Sequence, residues 1–324
     1  MINLIWRTDV HMADKTPRRR LGSWTTDVVR KLKWVGELAK ETGANAVLDG
    51  GDFFDVKSPS KNSHSLVREA FNAHSDYPCP VYGLVGNHDV KYGKYEYLPE
   101  QPLGVLFSSG VFKEFGDNKE IVFEEDGVKV RVVGIPYHGT LYDFERLSSV
   151  ERGDEDYLLV ACHLLARKGK TGTMFEGEDI VGYDFLDTVS QVDGWFFGHW
   201  HKDQGVVKLP NGATVVNVGS LTRGSLHLDD LDRKPCVVEV KMTKESIEFV
   251  RHNVPVRPAS ECFKIEEAVR EKDDSQRMTD IVDRMKKIAT QGWTELTLKE
   301  RVMSISTASN GAKELANSYL DKVT

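Results

Sequence analysis

The chain has 324 residues, of which 40% are hydrophobic and 29% charged, values of a globular protein with room for a sizeable core. That length exceeds a typical single domain, so one main domain with an appendage is expected. The formal net charge of −7 argues against a protein that coats nucleic acid indiscriminately, and no apolar run approaches the ~20 residues of a membrane helix.

Met1 leads straight into an apolar run, Ile2 to Arg7, that predicts a strand. No basic stretch, long apolar stretch or small-residue cleavage site precedes it, which predicts an intracellular, cytoplasmic protein with no membrane attachment. Asp9-Val10-His11 follows the strand directly. Next comes a loop broken by Pro17 and carrying Lys15, Arg18, Arg19 and Arg20, a candidate contact for phosphate or else a solvated loop. Trp24 to Glu41 reads as a helix with Val28, Leu32, Val35 and Leu38 on one face, ended by Gly43. Ala46 to Leu48 reads as a strand and is followed by Gly51-Asp52-Phe53-Phe54-Asp55. A helix over Ser63 to His74 and a strand over Val81 to Val85 lead to Gly86-Asn87-His88-Asp89. Alternation of this kind predicts a parallel sheet with crossover helices, whose ligands collect at the carboxyl ends of the strands.

From about Lys119 the pattern changes to strand pairs. Glu120 to Phe123 and Val128 to Val133 flank the turn Glu125-Asp126-Gly127. Tyr157 to Ala161 leads to a lone His163, and Trp195 to Phe197 leads to Gly198-His199-Trp200-His201. Val206 to Leu209, Thr214 to Val218 and Val237 to Lys241 complete a second sheet packed on the first, so the fold class is a layered α/β sandwich. After about Arg257 the texture becomes polar and helix-prone over residues 262–290 and 308–323, with Ile281, Met285 and Ile288 on one face. The expected division is a main domain over 1–256 and a helical region over 257–324 that caps the core or binds a partner. The four cysteines lie far apart without a C-x-x-C pair, so reduced, buried thiols are expected; Cys162 should pack while its neighbour His163 points the other way.

The clusters supply carboxylates from Asp9 and Asp52, an amide oxygen from Asn87, and imidazoles from His11, His163, His199 and His201. These O/N donors are too many for one tetrahedral zinc and too poor in oxygen for calcium, but they suit two divalent ions sharing a carboxylate. Such a pair activates water and clamps a phosphate during in-line displacement. His64, His74, His227 and His252 read as surface or packing residues, and so does His138.

The ordered set D-x-H, G-D-x-x-D, G-N-H-D, H and G-H-x-H resembles the calcineurin-like metallophosphoesterase family, with every element intact. The resemblance implies that Asp9, His11 and His201 hold one metal, that Asn87, His163 and His199 hold the other, and that Asp52 bridges them. It also implies that His88 assists the leaving group, with Asp89 orienting its imidazole. Asp55 reads as a residue that steadies a ligand from behind. Val56 and Asp89 depart from the pattern of the protein Ser/Thr phosphatases. Gly50 to Asp55, Pro80 to Asp89 and Asn217-Val218-Gly219-Ser220 instead resemble SbcD-type DNA repair exonuclease subunits. That branch implies DNA as substrate, Mn2+ as the metal (with Mg2+, Fe2+ or Zn2+ as other candidates), an SbcC-type ATPase partner and a homodimer. The tail after residue 220 departs from it.

Other readings are a stand-alone phosphodiesterase or phosphatase acting on a small nucleotide, which would keep the metal site without needing Arg18 to Arg20, and a non-catalytic scaffold. A DNA-binding protein without chemistry would be more basic than this chain.

Overall fold

The computed structural model describes the whole chain apart from residues 117–118, 175–176, 227, 229–230, 291–297, 306 and 324, so His227 lies outside the described residues. The chain divides into two compact units, Met1–Phe263 and Lys264–Thr324.

The first unit opens with strand β1 (Ile2–Arg7), helix α1 (Trp24–Thr42) and strand β2 (Ala46–Asp49). Helix α1 starts where the Ser23 side chain accepts a hydrogen bond from the Thr26 backbone N–H and stops at Gly43, whose φ of 64° is the left-handed turn a C-terminal glycine permits. Its buried face carries Val28, Leu32, Val35 and Leu38. Helix α2 (His64–His74), capped by Ser63, and strand β3 (Val81–Gly83) repeat the unit. Leu84 and Val85 stay buried but leave the ladder: Leu84 N–H bonds Asp49 O, and Val85 O accepts from Tyr137 N–H. Helix α3 (Pro102–Ser108) and strand β4 (Phe112–Glu114) end this half.

The second half alternates differently. Strands β5 (Ile121–Glu125) and β6 (Val128–Ile135) form the expected hairpin. Helix α4 (Phe144–Ser148) and strands β7 (Tyr157–His163), β8 (Ala166–Arg167), β9 (Gly172–Thr173) and β10 (Asp179–Gly182) follow. Helix α5 (Tyr183–Leu186) leads to strands β11 (Gly194–Gly198), β12 (Gly205–Lys208), β13 (Thr214–Asn217), β14 (Cys236–Met242) and β15 (Ile247–Asn253).

These strands assemble into two six-stranded mixed sheets, ordered β15-β14-β1-β2-β3-β4 and β12-β13-β11-β7-β6-β5, and a small β8-β10-β9 sheet. Trp6, Leu48, Val132, Phe196, Val216 and Val238 belong to the apolar layer between the large sheets. A second layer packs α1 and α2 on the outer face of one sheet, and a third packs Leu147, Leu186 and Trp195 on the outer face of the other. Packing the two sheets together covers only two of their four apolar faces, so helices cover the other two and the outcome is an α-β-β-α sandwich with three apolar layers. Strands β1, β2 and β3 run parallel, as do β7 and β11, which delivers their carboxyl ends to one edge.

The first unit ends with helix α6 (Ala259–Cys262) and Phe263, not at residue 256. The reason is local: Phe263 forms a β-bridge with Arg20, Leu21 N–H bonds Cys262 O, and the Arg20 guanidinium lies 5.0 Å from the Phe263 ring centroid. The second unit contains helices α7 (Ile265–Thr290), α8 (Leu298–Ser304) and α9 (Asn310–Val323). On α7 Ile281 is exposed, while the side chains of Met285 and Ile288 lie outside the described ones. No helix among the described residues is long and apolar enough to cross a membrane.

Candidate metal centre

The loops after β1 and β2 are stitched together by backbone hydrogen bonds: Asp9 N–H to Gly51 O, His11 N–H to Asp52 O, Met12 N–H to Phe53 O, and Asp55 N–H back to Met12 O. Asp9, His11, Asp52 and His199 all have positive φ, between 48° and 84°, an uncommon conformation for residues that carry a side chain. Gly86 is obligatory, because a Cβ there would stand 2.2 Å from Asp52 Oδ1 and 2.3 Å from its backbone nitrogen. Gly51, with φ of 93°, lets the second loop turn beside Gly86 and His163.

The side chains then converge. His11 Nε2 and His201 Nε2 lie 2.8 Å apart, with Asp9 Oδ1 at 3.8 and 3.5 Å from them. Asp52 directs Oδ2 to His11 Nε2 at 3.6 Å and Oδ1 to His163 Nε2 at 3.4 Å. Asn87 Oδ1 lies 3.2 Å from His163 Nε2. Among the described residues Asp9, His11 and His201 form one group of donors within 4.8 Å of one another, and Asp52, His163 and His199 form another. His11, Asp52 and His88 form a third, although His88 Nδ1 is already engaged by the Asp55 carbonyl at 2.6 Å. The seven residues singled out as ligands are thus brought together.

The electrostatics fit cations. Burial opposes charge on His11 and His163, yet neighbouring carboxylates push them up to about 10 and about 9, while the same histidines hold Asp52 and Asp9 below the usual carboxylate range. A pocket negative enough to keep protons on two buried imidazoles is one that divalent ions would neutralise. Burial holds His88 below its ordinary value. The residues present therefore fit two ions sharing Asp52, with no thiolate involved; Cys162 is buried in the outer apolar layer.

Two expectations are corrected. Asp89 does not orient His88. Its carboxylate accepts from the backbone N–H groups of Phe53, Phe54 and Gly86 at 3.0–3.2 Å, tying the Asp52 loop to the Asn87 loop. Burial and the Asp52 charge push Asp89 up to about 7, while the backbone donors favour its ionised form. Nor is Arg20 a surface cation for substrate. It is buried, bonded to Asp27 at 2.9 Å and to Arg223 O at 2.7 Å, with the Trp24 ring centroid 4.8 Å from its guanidinium carbon. Arg18 is exposed and Arg19 half-buried. Asp55 lies behind His11, with Oδ1 3.1 Å from Nδ1. His138 is exposed, and His74 is buried against Arg7.

Sequence reasoning missed three residues. Glu178 Oε1 lies 3.0 Å from His199 Nε2, Tyr142 donates its hydroxyl to the same oxygen, and the Tyr137 ring packs 5.6 Å from that of His199. No motif spacing marks any of them.

Residues 8–203, more than half of the chain, match the sequence profile described as calcineurin-like phosphoesterase. The chain belongs to that family. Among solved structures, this calcineurin-like phosphoesterase is similar to a Staphylococcus aureus protein assigned as a 5'-nucleotidase, with a TM-score of 0.55 and 18% identity over 85% of this chain and 58% of that one. It is also similar to the sulfate thiohydrolase SoxB of Thermus thermophilus (TM-score 0.47, 12% identity, 80% and 58% covered) and to the calcineurin-like phosphoesterase YfkN of Bacillus subtilis (0.46, 13%, 80% and 91%). The chain spans 58% of the length of the first two. At 18% identity the likeness to the first of these speaks for the fold alone. No curated protein matches the sequence.

Proposed function

We propose that this phosphoesterase hydrolyses phosphodiesters with two divalent ions, and that its substrate is DNA, as in the SbcD-type exonucleases it resembles. The observation that carries the two-ion reading is Asp52, which turns one oxygen toward His11 and the other toward His163. Asp9, His11 and His201 would hold one ion, and Asn87, His163 and His199 the other. The ions would supply charge neutralisation and a water that ionises near neutral pH. With Nδ1 facing the Asp55 carbonyl, His88 carries its exchangeable proton on Nε2, and an anionic phosphate nearby favours the protonated form. A crevice of about 200 Å³ runs past His11, His88 and His201 to Thr222 and Ser225, leaving room for a second ester substituent beside the phosphate. The O/N donor set takes Mn2+, Mg2+, Fe2+ or Zn2+, with Mn2+ the first to test.

A second reading, hydrolysis of a small nucleotide, is favoured by the burial of Arg20, which removes one cation from the surface that a polymer would need. The test is cleavage of end-labelled single- and double-stranded DNA by metal-stripped protein resupplied with Mn2+, Mg2+ or Zn2+, beside bis-p-nitrophenyl phosphate and with His88→Ala as control. Metal-dependent degradation of DNA lost in the variant supports the nuclease; diester hydrolysis with intact DNA supports the second reading.

A further inference from the structure

Three of the imidazoles at the centre have one ring nitrogen engaged from behind. His11 Nδ1 faces Asp55 Oδ1 at 3.1 Å, His163 Nδ1 faces Gly50 O at 2.7 Å, and His199 Nε2 faces Glu178 Oε1 at 3.0 Å. A nitrogen that faces a carboxylate or carbonyl carries the hydrogen, which leaves the lone pair for a cation on the other nitrogen. Asp55 and Gly50 come from the same loop as Asp52. Glu178 comes from elsewhere, just ahead of β10.

Glu178 is itself held in place. Tyr142 Oη donates to its Oε1 at 2.9 Å and accepts from Leu165 N–H at 2.9 Å. The Glu178 carbonyl accepts from Met174 N–H, while the next residue, Asp179, accepts from Tyr142 N–H and donates its own N–H to Thr140 O. Glu178 does not belong to the donors grouped within 4.8 Å around Asp52, His163 and His199. Its side chain is 17% exposed, so the contact to His199 is well shielded from solvent.

We propose that Glu178 is a positioning residue for the second ion: with Tyr142 behind it, it fixes the ring and tautomer of His199 so that Nδ1 offers its lone pair to the ion shared with His163 and Asn87. This rests on the two-ion reading above.

The test is calorimetric titration of metal-free protein with Mn2+, with bound ions counted by the loss of the free Mn2+ resonance signal, for wild type, Glu178→Ala and Glu178→Gln. Wild type should take two ions. In Glu178→Ala the second site should weaken by roughly 10–100-fold with the first unchanged. Glu178→Gln, which keeps an acceptor without the charge, should fall between the two. The melting temperature of the metal-free protein should fall by no more than the few degrees that an unpaired Tyr142 hydroxyl costs in Glu178→Ala. Wild type binding one ion overturns the two-ion reading and this proposal together, before any variant is made. Wild type binding two ions, with the second site of Glu178→Ala unchanged or with both sites weakened alongside a larger fall in the metal-free melting temperature, overturns the proposal alone.

Discussion

Asp27 ties the loop that follows His11 to α1 through Arg20, and its replacement by Asn should be among the most damaging single changes outside the candidate site. Asp27 Oδ2 meets the Arg20 guanidinium and the Lys31 amine, each at 2.9 Å, and Oδ1 meets Arg30 at 2.9 Å. The Arg20 and Lys31 side chains are each 1% exposed, whereas Arg30 is about half exposed and its screened pair adds little. Burial lowers the Lys31 amine to about 8 even with Asp27 present. Without that carboxylate the amine falls further and releases its proton near pH 7, which caps its added cost at ~1–1.5 kcal/mol. Arg20 cannot release a proton, but it keeps its Arg223 carbonyl and its aromatic neighbours, so its loss lies at the low end for a broken buried pair, ~3 kcal/mol. Together these give ~4–5 kcal/mol, or roughly 10–20 °C in Tm. The pH profile carries a second signature. Below about 8 Lys31 is charged both folded and unfolded, so its penalty is constant; between about 8 and 10.5 the unfolded chain keeps a proton that the folded chain has released, and stability rises with pH. In Asp27→Asn that rise should begin at lower pH. Urea unfolding of both proteins across the alkaline range measures both effects. A variant within ~1 kcal/mol of wild type, with its alkaline rise in the same place, would show that Asp27 is not the counter-ion of this pair.

Arg18→Ala with Arg19→Ala should weaken DNA binding and flatten its salt dependence, whereas Arg20→Ala should cost stability and leave that slope unchanged, which filter binding across a salt series and thermal melts separate. Asp52→Asn should lose both bound ions, seen by metal analysis, and His88→Ala should keep them while diester hydrolysis falls by ~10²–10⁴-fold. His74 is buried with Nε2 2.8 Å from an Arg7 nitrogen, and burial together with Arg7 holds it well below its usual value. Above pH 6.5 it is neutral in both states; below, only the unfolded chain takes a proton, so stability should fall by up to ~1.4 kcal/mol per pH unit. Urea titrations between pH 6.5 and 5 should show that fall reduced in His74→Gln.

The parts of the site legible in the sequence are those where a motif directly follows a strand. Asp9, Asp52 and Asn87 stand just beyond apolar runs that could only be buried strands, and parallel strands put their ends at one edge. Arg20 was illegible for the opposite reason. Three arginines in a row look alike, and what turns the third inward is the bond from its N–H to Pro17 O and the bridge to Phe263 from the far end of the unit. Asp89 misled through its adjacency to His88, since its real partners are the backbone groups of Phe53, Phe54 and Gly86. Glu178 had no signal, because a residue that meets a histidine from behind needs only a carboxylate at the right place and no fixed spacing.

The backbone of the centre stores strain that its neighbours must hold. Asp9, His11, Asp52 and His199 in the left-handed region cost ~1–2 kcal/mol each relative to ordinary conformations. The loops that carry them are fixed from both sides: the stitched backbone bonds join the Asp9 and Asp52 loops, Asp89 ties the latter to the Asn87 loop, and the Asp9 carboxylate accepts the His199 N–H at 3.0 Å. The bond to the charged Asp9 contributes ~1.5–3 kcal/mol and each neutral backbone bond ~0.5–1.5 kcal/mol, which together offset the strain without any ion. On the two-ion proposal Asp9 has two jobs, offering oxygen to a metal and anchoring, through the His199 N–H, the loop that carries His199 and His201. For that reason a substitution at Asp9 should disturb both halves of the centre, while one at His201, a solvent-facing side chain with no such backbone duty, disturbs only its own.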